Sequence, residues 1–204
     1  MDDGPFFFTS DGVDLALMGT PLPLEARDPN KLIWTSNPDR GLSVAAHILQ
    51  KIRKRWPEMQ LHVYGRASVY GWHPEAEHPY MPRDADSEGV VIHESLPRAA
   101  LFEELKTAWA YFYPTHWPET FSMSSLEAQA AGTPVICPPY GALEETVKGG
   151  VLTYDFLNAV SQLRNKARWR KLSQVGRDWA ETLDWGLVAE RWEEFLMNFP
   201  GVEM

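Results

Sequence analysis

The chain is short of several things, and each shortage removes a class of protein. It holds one cysteine, Cys137, so no internal disulfide can form and a reducing compartment suits it. Positive charge is scarce: 19 Lys and Arg stand against 28 Asp and Glu, a net charge of -9. That balance argues against a broad surface for nucleic acid or anionic membrane, though a local basic pocket for a phosphate remains open. No apolar window approaches the length of a membrane-spanning helix, and the start "MDDGPFFFTSDG" carries acids where a signal peptide carries positive charge. A cytoplasmic protein is the expectation. Also missing are a GxGxxG after the first strand, a GxxxxGK[ST] loop, a GxSxG elbow and a helical HExxH. There is no internal repeat and no low-complexity segment. What remains is an ordinary globular composition, 44% hydrophobic and 23% charged, in 204 residues that suffice for a real core.

The apolar periodicity alternates between strand and helix. "KLIWTS" (Lys31 to Ser36) reads as a strand closed by the turn "NPDRG". Leu42, Ala45, Ala46, Leu49 and Ile52 then recur at helical spacing up to Trp56, with Pro57 just beyond. "QLHVYG" follows as a second strand, and the resulting β-α-β unit places its strands parallel. Residues 66–87, rich in Pro, His and acids, break the rhythm as a long loop. After it come the strand "GVVIH", a helix from Arg98 to Thr107 behind Pro97, and the strand "AYFYP". A helix from Ser122 to Ala131, the strand "PVICP", a short helix from Ala142 to Lys148 and the strand "GVLTY" complete the alternation. The tail from Asp155 to Phe199 reads as helical throughout, with one break near Trp185-Gly186. The expected architecture is a single α/β domain over 1–204. It has a lead-in segment (1–30), an open parallel-sheet, Rossmann-like core (31–154) and a helical tail (155–204).

In such sheets ligands bind beyond the carboxyl ends of the strands, where the strand order reverses. The stretch "PETFSMSSLEAQAAGTPVIC" lies at that edge and carries Glu119 and Glu127. By spacing alone they are a ligand-holding pair or two solvated acids. The small apolar neighbours Leu126, Ala128, Ala130 and Ala131 point to a helix closely covered by the sheet, which favours the first reading. Serines 122, 124 and 125 beside Thr120 either cap this helix or leave its amides to a phosphate. Gly132 and Pro134 end it. Arg40 is an anion ligand or a solvated turn residue, and Gly141 and Ala142 offer amides at a further helix start. His73 and His78 make a poor metal site without cysteine partners, and Cys137 reads as an inert core thiol. Trp169, Trp179, Trp185 and Trp192 on the tail read as packing residues.

Taken together the motifs resemble the donor-binding (C-terminal) domain of GT-B glycosyltransferases of the retaining, family-4 type. The resemblance rests on Glu119 and Glu127 with seven residues between them, then "AQAAGTPVI" and "GALEETV". "SDGVDLALM", "PDRGL" and "VIHESLPRAALFEELKTA" extend it upstream, so that it covers the chain from about Asp11 to Leu196. It implies that Glu119 holds hydroxyls of a transferred sugar and Glu127 the ribose of its nucleotide. Arg40 would neutralise the departing diphosphate, and with Glu119 it forms the catalytic pair. Thr120, Phe121, Ser122 and Met123, with Ser36, would line the sugar and diphosphate. His93, Glu94, Ser95 and Leu96 would lie near the base. The implied substrate is a UDP- or GDP-sugar, with no metal and no other cofactor required. The sequence departs from the family pattern where Thr120 and Ser122 stand for glycines and Ser36 for an arginine. The resemblance begins at the second domain of the two-domain fold. Transfer to a sugar or glycan acceptor therefore implies an acceptor domain on another chain or a longer parent protein, or a homo-oligomer. A non-catalytic sugar-nucleotide-binding module is the alternative, and a phosphate-binding α/β protein unrelated to sugars is a third reading.

Overall fold

The apolar runs read as strands pair into one sheet. The computed structural model describes residue 7 and residues 9–65, 80–82 and 84–199. The strands are β1 (Asp28–Trp34), β2 (Gln60–Val63), β3 (Val90–Ile92), β4 (Ala108–Phe112), β5 (Val135–Cys137) and β6 (Gly150–Leu152). Their order across the sheet is β3-β2-β1-β4-β5-β6, and every pairing is parallel. The order reverses between β1 and β4, where Ile33 sits beside Tyr111. All five residues of β4 are buried, as befits a central strand covered on both faces. The α/β, Rossmann-like class expected from the alternation is the one observed. Segment ends differ mainly by a few residues: β1 begins earlier than "KLIWTS" and β4 covers "AWAYF". Most of the long segment, residues 66–79 and 83, lies outside the described residues, and Asp84–Asp86 form one 3-10 turn.

The helices are α1 (Leu15–Met18), α2 (Leu42–Arg53), α3 (Arg98–Thr107), α4 (Met123–Ala130), α5 (Leu143–Thr146), α6 (Phe156–Leu163), α7 (Lys166–Glu181) and α8 (Trp185–Met197). The apolar positions that predict α2, Leu42, Ala45, Ala46, Leu49 and Ile52, are the ones it buries. Right-handed crossovers running in opposite directions from the reversal put α2 on one face and α3 and α4 on the other. α6 packs with α2, and α7 packs along α4. Gly132 takes the left-handed conformation (φ 70°) just past α4, and the Thr133 amide closes back on the Ala128 carbonyl at 2.8 Å.

The expected single break in the tail is corrected to two, each followed by a side-chain cap. Asn165 accepts from the Arg168 amide at 3.0 Å and starts α7. Asp184 accepts from the Gly186 amide at 2.9 Å and starts α8, so Trp185-Gly186 opens a helix instead of ending one. Asp184 also accepts from the Leu15 amide at 3.2 Å, and Val13 pairs with Leu183 and Trp185 through the backbone. The lead-in segment is thereby stitched to the tail. Trp169 and Trp179 pack inward and donate to the carbonyls of Trp109 (2.8 Å) and Thr146 (3.0 Å). Trp185 and Trp192 are partly exposed, yet Trp185 lies against Gly12 and the Trp192 ring packs on Phe7 (4.8 Å between centroids) and Phe195 (6.2 Å).

On the α4–α7 side the buried Gln129 side chain is fully used. The Gln129 amide donates to the carbonyls of Ser125 (3.1 Å) and Thr146 (2.9 Å). Its oxygen accepts from the amides of Lys148 and Gly149, both at 2.8 Å, so all four of its hydrogen-bonding positions are filled. α7 approaches this turn closely enough that a methyl on Gly149 would lie 2.3 Å from Gly176 Cα and 2.5 Å from the Leu172 carbonyl. Both obstacles are backbone and cannot swing aside. Gly149→Ala is therefore expected to destabilise the chain by about 1–3 kcal/mol, read as a lower urea midpoint at unchanged slope.

Candidate active site at the β1–β4 crossing

The loops leaving β1 and β4 meet at the point of order reversal. After β1, Asn37 accepts from the Asp39 amide and turns the chain through Pro38–Arg40. Gly41 then takes φ 117°, and a Cβ there would press within 3.3 Å of the Pro114 carbonyl and 3.2 Å of His116 Nδ1. Thr115 Oγ1, in the β4 loop, donates to the Arg40 carbonyl at 2.6 Å. Arg40 is thus fixed by its backbone against the loop that carries Glu119. Glu119 is held from the other side, because the Ala142 amide donates to its carbonyl at 2.9 Å. The Ala142 amide, expected to be open to a ligand, serves instead to seat Glu119.

Between these loops lies a cleft of about 370 Å³. Ser36, Arg40, Glu119, Thr120, Phe121, Ser122, Met123 and Glu127 all line it, together with Asp11, Thr35, Asn37 and Ser124. His93, Glu94, Ser95 and Leu96 are not part of its wall. They follow β3, and the His93 ring stacks on Tyr64 (4.3 Å between centroids, 4° between planes) with Nε2 3.0 Å from His62 Nδ1. Burial first, then Lys31 and His93, push the His62 imidazole down to about 4, so it is neutral at physiological pH. Among the described residues no three His, Cys, Asp or Glu side chains gather as a metal site.

Each glutamate is paired with an arginine. Arg40 Nη1 lies 3.1 Å from Glu119 Oε1, and its guanidinium rests 4.4 Å from the Trp117 ring centre and 3.6 Å from Asp39 Oδ1. Glu119 Oε1 also accepts a short hydrogen bond from the Tyr113 hydroxyl. Glu127 Oε1 lies 2.6 Å from Arg98 Nη2, at the first residue of α3. Burial raises the Glu127 carboxyl above its ordinary value, and Arg98 draws it only partly back. Both glutamate side chains are largely enclosed, 10% and 12% exposed.

The start of α4 separates the two pairs. Ser122 is its N-cap, in the left-handed region (φ 76°), the one non-glycine residue there among the described residues. The serine capping expected from composition does not occur through its side chain, whose Oγ meets Ser125 Oγ at 2.9 Å. The amides of Ser125 and Leu126 return to the Ser122 carbonyl, while those of Met123 and Ser124 have no backbone acceptor among the described residues. Unpaired amides at the positive end of a helix, beside two guanidinium groups, suit an anion. Backbone strain of this sort is characteristic of ligand sites. Cys137, fully buried in β5, is pushed up to about 12 by desolvation and is unreactive, as expected.

Sequence reasoning passed over Tyr113, Trp117 and Arg98. Arg98 did leave a signal, since a cation at the first position of a helix opposes the helix dipole and calls for a carboxylate nearby. Tyr113 left a weaker one, a hydroxyl in a strand buried on both faces, which needs a partner.

A six-stranded, all-parallel, doubly wound sheet flanked by helices is a Rossmann-like domain, with a polar cleft at the crossing point of its strand order. The chain belongs to the family of glycosyl transferases group 1, whose model matches residues 30–166. It is 28% identical over 174 residues to the D-inositol 3-phosphate glycosyltransferase of Thermobifida fusca, covering 76% of this chain and 39% of that one. The chain thus spans about two fifths of the length of the curated relatives it matches. Among solved structures it is similar to sucrose-phosphate synthase from Thermosynechococcus elongatus (TM-score 0.70, 23% identity, 92% of this chain and 51% of that one). It is also similar to Anabaena HepE in complex with UDP-glucose (TM-score 0.73, 16% identity, 91% of this chain and 56% of that one). At these identities the structural matches speak for the fold. Among the described residues no helix is long and apolar enough to cross a membrane.

The buried Glu127 carboxyl makes a signed prediction. A folded-state value raised above the ordinary 4.5 means its contribution to stability is fully present below that value and lost as pH rises through the folded one. Glu127→Gln, neutral at every pH, is expected to melt above the parent near neutral pH, with the gap closing as pH falls toward about 4. The lost pairing offsets little, because the Arg98 side chain is 47% exposed. Thermal melts of both proteins across this range check it, and a lower melting point for the variant at neutral pH contradicts it.

Proposed function

We propose that this chain is the donor-binding half of a retaining, family-4-type glycosyltransferase, which holds a nucleotide-diphospho-sugar in the cleft at the β1–β4 crossing. The observation that carries this reading is the arrangement of Arg40–Glu119, the open α4 amides and Glu127 in the lining of one cleft, with Arg98 paired to Glu127. The order matches the parts of a sugar nucleotide. Glu119 accepts from hydroxyls of the sugar, the amides of Met123 and Ser124 with Arg40 receive the diphosphate, and Glu127 accepts from the ribose diol. The two arginines pair with the two glutamates, and a diphosphate brings the charge that draws Arg40 away from Glu119. Ser36, Thr120, Phe121 and Ser122 shape the space around the sugar and phosphates. The segment His93–Leu96, which leads directly into Arg98, meets the base.

The chemistry asked of these residues is positioning and charge stabilisation. Arg40 and the α4 amides stabilise negative charge as the glycosidic bond to the diphosphate breaks, and the leaving phosphate accepts the proton of the acceptor hydroxyl on the same face. The acceptor is supplied by a further domain, on a longer protein or a partner chain. A hexose is the sugar class proposed, as a UDP- or GDP-linked donor, with no metal needed for the transfer.

Calorimetry of the chain against UDP, GDP and ADP and their sugar conjugates tests the reading. One nucleotide series is expected to bind, the sugar conjugate more tightly than the bare diphosphate, and binding to none of them by folded protein removes the proposal. Glu119→Ala is expected to weaken the sugar conjugate by about tenfold or more while leaving the bare diphosphate nearly unchanged. Equal losses for both contradict the role given to Glu119. Donor hydrolysis or transfer, against binding alone, separates an enzyme from a non-catalytic binding module.

A further inference from the structure

We propose that Tyr113 is a positioning residue that locks the Glu119 carboxylate, so that one oxygen stays anchored in the protein and the other faces the sugar. This inference rests on the donor-site reading above. Tyr113 lies one residue past β4, is fully buried, and packs its ring against Trp34 (4.9 Å, 54°) and Tyr111 (5.5 Å, 35°). Its hydroxyl donates to Glu119 Oε1 and lies 3.2 Å from Ser36 Oγ. A phenol has one proton to give. With that proton committed to Glu119, Ser36 must be the donor in the second contact, which leaves the Ser36 oxygen an acceptor toward the cleft it lines. Ser36 is in turn fixed by Trp34, whose indole Nε1 donates to its carbonyl at 2.8 Å. A directed chain of hydrogen bonds therefore runs from Ser36, after β1, through Tyr113 to Glu119, after β4.

The consequence falls on Glu119. Its Oε1 accepts from both Tyr113 and Arg40, whereas Oε2 makes no hydrogen bond to any described residue. A carboxylate held by one oxygen cannot rotate freely, and it presents the other in a set direction. The two anchors are not equivalent. The Arg40 side chain is 30% exposed and faces the cleft, where a diphosphate competes for its charge. Tyr113 is out of reach of ligand and solvent. When the donor engages Arg40, Tyr113 is the anchor that remains, so its hydroxyl matters most in the loaded site and for the sugar rather than the nucleotide.

Tyr113→Phe keeps the ring and deletes the hydroxyl. The expected result, by calorimetry on the full chain, is a roughly tenfold loss of affinity for the sugar conjugate, with affinity for the bare nucleoside diphosphate within about twofold of the parent. A merely structural tyrosine would lower both affinities together or neither. The second measurement is a double-mutant cycle. In a Glu119→Ala background Tyr113→Phe is expected to change the ratio of the two affinities no further, because the group it acts through is gone. An undiminished effect in that background, equal losses for both ligands, or no loss for either overturns the role of Tyr113 while the parent's binding leaves the donor-site reading standing. Failure of the parent chain to bind any nucleoside diphosphate overturns both.

Discussion

The pairing of β1 with β4 is the constraint on which the site depends. Among the described strands, only there do neighbours send their outgoing chain in opposite directions, one toward α2 and the other toward α4, and a gap opens between the two loops. The two loops are held together by Gly41 packing close to the Pro114 carbonyl and by the Thr115 hydroxyl on the Arg40 carbonyl. Arg40 and Glu119, 79 positions apart in sequence, meet as a result. The seat of Glu119 extends to the next crossover, through the Ala142 amide. The connections leaving three neighbouring strands, β1, β4 and β5, thus converge on Glu119.

Glu119 and Glu127 are enclosed, and each has a guanidinium partner that is more exposed than itself. That asymmetry lets the cation exchange partners while the anion keeps its place. Between the pairs, α4 offers amides that its own cap leaves open, at the cost of a serine in a backbone region that glycine occupies more readily. The chain carries strain at the spot where family resemblance places glycine.

Much of this was legible in the sequence, and the reasons are physical. The parallel sheet showed through because strands buried on both faces are written as unbroken apolar runs, and α2 showed through because one face of it is apolar at helical spacing. Glu119, Glu127, Arg40, Ser36 and the 120–123 segment converge because they lie at the carboxyl edge, a position that strand order alone predicts. The pairings were not legible. Arg40 with Glu119 and Arg98 with Glu127 are contacts between distant segments, set by how close two loops approach. The tail misled for a local reason: its breaks are made by Asn165 and Asp184, whose side chains cap new helices, while Gly186 is merely the second residue of one.

Asp184 has a reach that its place in the chain conceals. The same carboxylate that begins α8 holds the Leu15 amide, and Val13 is threaded between Leu183 and Trp185. Two residues before Val13, Asp11 stands in the wall of the cleft. The helical tail is therefore a buttress for the rim of the cleft. Trimming the protein at α8 would loosen that rim while leaving Glu119, Glu127 and Arg40 in place.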